Sequence, residues 1–557
     1  MNRSSAGISR RYARPGNDDI QPDNRAACSR RAQYRQSTVR LWDNPPRSTP
    51  GRNEFYHSSG ACSPQHLQRR SVNPAQDFIN LIKQEIMAGL NSRSERFGHR
   101  YDGRDHGQYA NSIKRYTSAA KRPLNRAEQN QLIGLLQNFT ITRRWGWRSL
   151  TTTINSLTSA GVFTPHNPMD KQVTLTQAAL LSNLLDAIIF KCHQKSQARD
   201  IDARGIVNLL WAMAKLVDNG QKQTPEFNDT VAALLPHIHE QTDQFIPQHI
   251  ANLLWAMAKL VDNGQEWTPA LNKAVTTLLP HVKAQKANFQ PQGIANLLWA
   301  MAKLVENGQE QTSGLKEAVA ALLSLVKAQK ANFKPQGITN LLWAMAKLMD
   351  NEHWTAKLKE AVAVLLPYVN AQKDQFTPQH IANLLWAMAK LVDNGQELIS
   401  ELKKAMAALL PHVKAHKDHF TPQHIANLMW ALEKLGELVE LNVVTSTFET
   451  LVCISENSQF SQQTIMMSLW GVMVCCTRLS LVANANKNHV LEKHMGDLFT
   501  RVQNTSQYNE EDQRSIAMAA NWLGRACPVV PHYQTIISKP QSDFRNQLQS
   551  GFNKTMY

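Results

Sequence analysis

From residue 206 to residue 440, apolar side chains recur every three or four positions, in blocks separated by short polar breaks. That spacing predicts helices with a buried face. One block repeats almost unchanged. The string N-L-[LM]-W-A occurs six times, with its tryptophan at Trp211, Trp255, Trp299, Trp343, Trp386 and Trp430, at spacings of 44, 44, 44, 43 and 44. Phenylalanine lies ten residues before five of these, at Phe245, Phe289, Phe333, Phe376 and Phe420, and Ile201 holds that place in the first. A weaker copy follows at Phe460 and Trp470, and W-L-G at Trp522 is more degenerate still. Near-identical copies at a fixed period read as a repeat array, in which each unit needs its neighbours to bury its apolar face.

Each unit predicts two helices. Helix B runs through sequences such as F-T-P-Q-H-I-A-N-L-L-W-A-M-A-K-L-V-D-N-G, from Phe376 to Gly395. Thr377 suits an N-cap, Pro378 the first helical position, and Asn394–Gly395 a left-handed stop. Helix A starts at pairs such as Thr268–Pro269 and contains Pro280, with equivalents at Pro236, Pro367 and Pro411. An interior proline removes a backbone donor and bends or splits a helix. A split helix gives three helices per unit, as in armadillo repeats; a bent one gives the two-helix HEAT pattern, which is expected here. The fold class is therefore all-α, a right-handed α-solenoid of about six to eight two-helix repeats behind a disordered N-terminal tail. The boundaries read as an Arg/Ser-rich tail over 1–75, a basic helical region and N-terminal cap over 76–205, regular repeats over 206–440, and degenerate repeats with a C-terminal cap over 441–557.

On a helical wheel, the helix B leucines and methionine form one arc, the core. Opposite it fall the recurring Gln, Trp, Lys and Asn. Stacked repeats turn these into ladders about 10 Å apart, the usual spacing of packed helices. The asparagines are Asn208, Asn252, Asn296, Asn340, Asn383 and Asn427; the lysines are Lys215, Lys259, Lys303, Lys347, Lys390 and Lys434. Gln248, Gln292, Gln336, Gln379 and Gln423 make a third row. These rows are the candidate ligand-binding stripe, with the tryptophans as packing or stacking groups. Amides pair with peptide backbone or base edges, indoles stack, and ammonium groups contact phosphates or carboxylates. The competing readings are indoles wedged between helices, amides bonded to neighbouring loops, and a solvated lysine face.

Charge narrows the partner. The net charge is +17, yet residues 1–120 carry +10, residues 121–210 carry +6, residues 211–440 balance 21 basic against 21 acidic groups, and residues 441–557 carry +1. The repeats thus have no bulk charge to attract a polyanion. The seven scattered cysteines show no CxxC spacing or even framework, so neither a zinc site nor disulfides are expected, and a reducing compartment is. No apolar run reaches membrane-spanning length, and no compact apolar leader suggests a secretory signal peptide. The Arg/Ser-rich leader suits a secretion or transit segment, although Asp18, Asp19 and Asp23 argue against transit. There is no P-loop, G-x-S-x-G elbow or H-E-x-x-H, and His237, His281 and His412 recur as packing or surface positions. No enzyme, cofactor or metal is expected.

At the core F-x-P-Q-x-[IL]-A-N-x-[LM]-W-A-x-A-x-L, over about residues 200–475, the units resemble octotricopeptide repeats, the RNA-binding helical pairs of organellar regulators. They resemble equally the SKWP family of type III secreted bacterial effectors, and a repeat family of unknown function from an intracellular bacterial pathogen. The 44-residue period exceeds the octotricopeptide unit, and no RAP-like segment is evident at the C-terminus. The resemblance implies a non-enzymatic binding protein secreted into a host cell as an effector, and a monomer is expected. A protein or extended peptide partner on the concave face is favoured. Single-stranded RNA is the alternative: the Lys row and the basic N-terminal third support it, while the neutral repeats and the lack of any Arg between Arg204 and Arg478 oppose it.

Overall fold

The computed structural model describes residues 85–435 apart from 143–144, 167, 195–200, 350–354, 394–398 and 417–418. The expected tail over 1–75, the copies at Phe460, Trp470 and Trp522, and the Asn394–Gly395 stop lie outside the described residues.

The described residues are all helical, with no strand. The divergent N-terminal part contains α1 (Glu85–Phe97), α2 (Gly103–Ala120), α3 (Arg126–Gln131), α4 (Ile133–Thr140), α5 (Trp147–Ser159) and α6 (Lys171–His193). The tryptophan-bearing B helices are α7 (Ala203–Asp218), α9 (Pro247–Asp262), α11 (Pro291–Glu306), α13 (Pro335–Leu348), α15 (Pro378–Asp393) and α17 (Pro422–Leu435). Between them lie the A helices α8 (Pro225–Glu240), α10 (Pro269–Ala284), α12 (Ser313–Ala328), α14 (Thr355–Ala371) and α16 (Ile399–Ala415).

Local chemistry sets these ends. Thr224, Thr268 and Thr312 cap α8, α10 and α12 by accepting from Phe227, Leu271 and Leu315 N–H at 3.3, 3.2 and 3.3 Å. Thr377 accepts from His380 N–H at 3.3 Å and donates its own N–H to His380 Nδ1 at 3.2 Å, and Thr421 and His424 repeat the arrangement. This is a capping box with histidine at the third helical position. Ile246, Gln290 and Lys334 offer no side-chain cap, so α9, α11 and α13 start on proline alone. Gly220, Gly264 and Gly308 end the B helices at φ of +95°, +104° and +99°, a left-handed conformation that glycine adopts without penalty.

The A helices run unbroken through Pro236, Pro280, Pro367 and Pro411, so each unit has two α-helices, with a 3-10 turn leading into the next Phe. All four prolines are exposed, which lets the carbonyl left without an N–H bond reach water. The copy without proline has Ser324 there, and its hydroxyl donates to Ala320 O at 3.1 Å.

The B helices stack on one another as one layer, continued N-terminally by α5 and α2. The A helices form the second layer, continued by α6, α4 and α1. The chain is thus an α-solenoid whose array begins well before the first N-L-L-W string. Neighbouring B helices approach more closely than neighbouring A helices, so the B layer takes the inside of the curve. At the contact, Gly293 and Gly337 face Ala251 and Ala295 of the preceding B helix, where a Cβ would make ordinary contact at 3.9 Å. A glutamine clip ties successive units. The amides of Gln241, Gln285, Gln329 and Gln372 donate to the carbonyls of Ile201, Phe245, Phe289 and Phe333 at 3.2, 2.9, 3.3 and 3.1 Å. By length and composition α6 is apolar enough to cross a membrane. It packs between α4 and α8 with Leu180, Leu184, Leu185 and Ile188 buried and Leu175 and Phe190 exposed, and a span is not shown.

Candidate binding face

Each inner helix touches its own A helix, the B helix before and the B helix after. Most of its circumference is therefore buried, and a wheel that assumes one apolar arc misplaces the flanks. The tryptophans show this. Trp255 and Trp299 are 1% exposed, Trp211, Trp343 and Trp386 are buried, and Trp430 is partly so. From Trp255 to Trp430 the rings form one column, with successive centroids 6.5, 6.2, 6.2 and 5.7 Å apart. They pack on each other and present no open stacking platform.

The lysines run alongside this column, facing inward. Lys303 is fully enclosed and Lys259 nearly so. Lys259 Nζ lies 2.9 Å from Asp218, Lys303 Nζ 2.9 Å from Asp262, and Lys347 Nζ 2.7 Å from Glu306, each on the preceding B helix. Within one helix, Lys215 meets Asp218 at 3.3 Å and Lys303 meets Glu306 at 3.1 Å. Lys259, Lys303 and Lys347 also stand 5.1, 4.8 and 4.9 Å over the rings of Trp299, Trp343 and Trp386. The result is a zipper of ammonium, carboxylate and indole groups. Burial pulls the Lys259 pKa down against the opposing pull of Asp218 and Asp262. Burial raises Asp262, whereas Lys259 and Lys215 together bring Asp218 below the usual carboxylate range despite its own burial. Lys390 and Lys434 are half-buried and also partnered. The structure therefore places Lys259, Lys303 and Lys347 in ion pairs between successive helices of the B layer, where the wheel had set the row on an open stripe.

The amides differ. Asn208 and Asn252 are half-buried, while Asn296, Asn340, Asn383 and Asn427 are buried. Among the described residues, none of Asn208, Asn252, Asn296 and Asn340 makes a hydrogen bond through its side chain, Asn383 has a partner, and the Asn427 Oδ1 is enclosed without one. Gln248 and Gln292 are exposed; Gln336, Gln379 and Gln423 are half-buried, Gln336 with its amide nitrogen unpaired and Gln379 with a partner. The stripe thus divides into a sealed lysine and tryptophan seam and an amide strip at the N-terminal ends of the B helices.

Where the tryptophan column begins, a cleft of about 300 Å³ opens among α2, α5, α7 and α9, lined by Lys114, Arg204, Asn208, Trp211, His249 and Asn252 among others. Burial and the neighbouring Arg204 charge pull the Lys114 pKa down to about 8. Sequence reading missed this cleft. Its signal was available: Arg204 stands 44 residues before Gln248, in the glutamine row's own place. Among the described residues no cluster of His, Cys, Asp or Glu is arranged to hold a metal ion.

Fold and face together define a two-layer helical-repeat protein with an amide-lined inner strip. In sequence, residues 233–254, 282–298, 318–342 and 365–385 match a family described as a protein of unknown function, DUF1601. Each match begins within an A helix and runs into the following B helix. No curated protein matches the chain. Among solved structures, a complex of SYS-1 with POP-1 is similar at 10% identity, covering 84% of this chain and 98% of that one with a TM-score of 0.31. Yeast Rmd9p in complex with a 16-nucleotide target RNA is similar at 11% identity, 85% and 96% coverage and a TM-score of 0.25. A circular tandem repeat protein is similar at 9% identity, 86% and 97% coverage and a TM-score of 0.20.

Proposed function

We propose that the chain is a non-enzymatic scaffold that binds an extended protein segment along the inner face of its B layer. One observation carries this reading. Asn208, Asn252, Asn296 and Asn340 repeat along the stack with no partner of their own, while the lysines beside them are neutralised. An unpaired amide both donates and accepts, which matches a peptide backbone. Enclosed, ion-paired ammonium groups give a phosphodiester chain nothing to release counterions against. A reducing compartment, and delivery into a host cell as an effector, belong to the proposal on the strength of cysteine usage and sequence resemblance alone.

A random-peptide selection on the full chain tests it. Peptides selected on the wild type lose at least about tenfold in affinity for Asn252→Ala/Asn296→Ala/Asn340→Ala, which unfolds at an unchanged temperature. Oligouridylate binding that falls steeply with salt, with a log–log slope of roughly −4, is the result expected of an RNA binder and would overturn the protein reading.

A further inference from the structure

We propose that the cleft at the N-terminal end of the amide strip holds one acidic group, a carboxylate or phosphorylated side chain, of the extended peptide. The inference rests on the reading above.

Two cations of the cleft have no carboxylate partner among the described residues. Lys259, Lys303 and Lys347 each face a carboxylate. Lys114 instead donates to the neutral Asn155 Oδ1 at 3.0 Å, and Arg204, exposed at the rim, has no ion pair among the described residues. The adjacent acid, Asp202, has its Oδ1 committed to the Trp147 indole and the Gly205 N–H, both at 3.0 Å.

The remaining groups are mostly donors. Trp211 is 8% exposed and its indole N–H meets no acceptor among the described residues, as is also true of Trp255, Trp299 and Trp343, and the amides of Asn208 and Asn252 are unpaired. His249 adds an enclosed Nδ1 without a partner, and its pKa is lowered by burial and by Arg204, against the pull of Asp202. A set of unused donors beside two cations fits an anion, and a guanidinium beside an ammonium fits carboxylate or phosphate oxygens. Arg204 also departs from the glutamine of the later copies, so duplication of a repeat does not account for it. One cleft provides for one anionic group. The next lysines along the layer are ion-paired, so a polyphosphate backbone finds no succession of cations.

The test titrates short, terminally blocked, fluorescein-labelled Ala/Ser/Gln peptides into the full chain, reading anisotropy. The peptides carry one glutamate, one phosphoserine or neither. The acidic peptides are expected to bind on the order of tenfold more tightly than the neutral one. Arg204→Gln, which installs the residue of the later copies, and Lys114→Met should each remove that gain, while Lys283→Met, far along the outer layer, should not. Which acidic peptide gains more separates carboxylate from phosphate. An equally tight neutral peptide, a gain that survives Arg204→Gln, or tighter binding of oligouridylate overturns the proposal. Neutral peptides lost only on the triple asparagine variant, without an acidic gain, leave the amide strip standing and remove the cleft alone.

Discussion

A lysine recurring every 44 residues reads as a cationic row, and its meaning turns on its neighbours. The deciding residue lies three positions further on: Asp218, Asp262 and Glu306 follow Lys215, Lys259 and Lys303 at that interval, so each helix carries the partner for the next. That recurrence is visible in the sequence, but spacing alone does not show that the acid meets the lysine of the next helix. Which way the pair faces depends on how closely the B helices approach, a property of the stack and not of one helix. Removing one member of such a pair leaves a carboxylate enclosed without compensation. Lys303→Met should therefore cost ~3–5 kcal/mol, read as a fall in the urea midpoint of unfolding. Lys283→Met, which breaks an exposed pair with Glu317, should change stability by under about 0.5 kcal/mol.

At the scale of the helix, the sequence was largely legible. Thr-Pro starts, the left-handed glycine ends and the two-helix unit follow from short-range rules, because caps and stops involve residues only a few positions apart. Two features needed the tertiary setting. An interior proline is tolerated where its helix faces water, and His380 and His424 act as caps because burial keeps their rings neutral. Burial lowers both, and His106 as well, to about 4, against about 6.5 in an unfolded chain. Between those values the unfolded state binds more protons, so stability is fully present above pH 6.5 and falls as pH drops toward 4. Each histidine can contribute up to about 3 kcal/mol to that loss. The unfolding temperature should fall between pH 7.5 and pH 5, and His380→Gln/His424→Gln, which keeps a side-chain acceptor at the capping position, should fall less. Equal slopes for the two proteins would assign the pH dependence elsewhere.

At the scale of the molecule, a stack of two-helix units and a neutral repeat region follow from period and charge count alone. The extension of the array through α2 and α5 did not, because those helices lack the N-L-[LM]-W-A string: their layer is recognised by what they pack against. The candidate face was half legible. The amide rows were named from their spacing, whereas the cleft at Arg204 shows only once four helices converge on it. Everything said of the face depends on the B helices closing over their lysines. Acetylation of the native chain, followed residue by residue with mass spectrometry, measures that directly. Lys259 and Lys303 should react on the order of a hundredfold more slowly than the exposed Lys283 and Lys327, because they become accessible only when the layers open. Equal reactivity at all four would show an open lysine row and contradict the sealed seam.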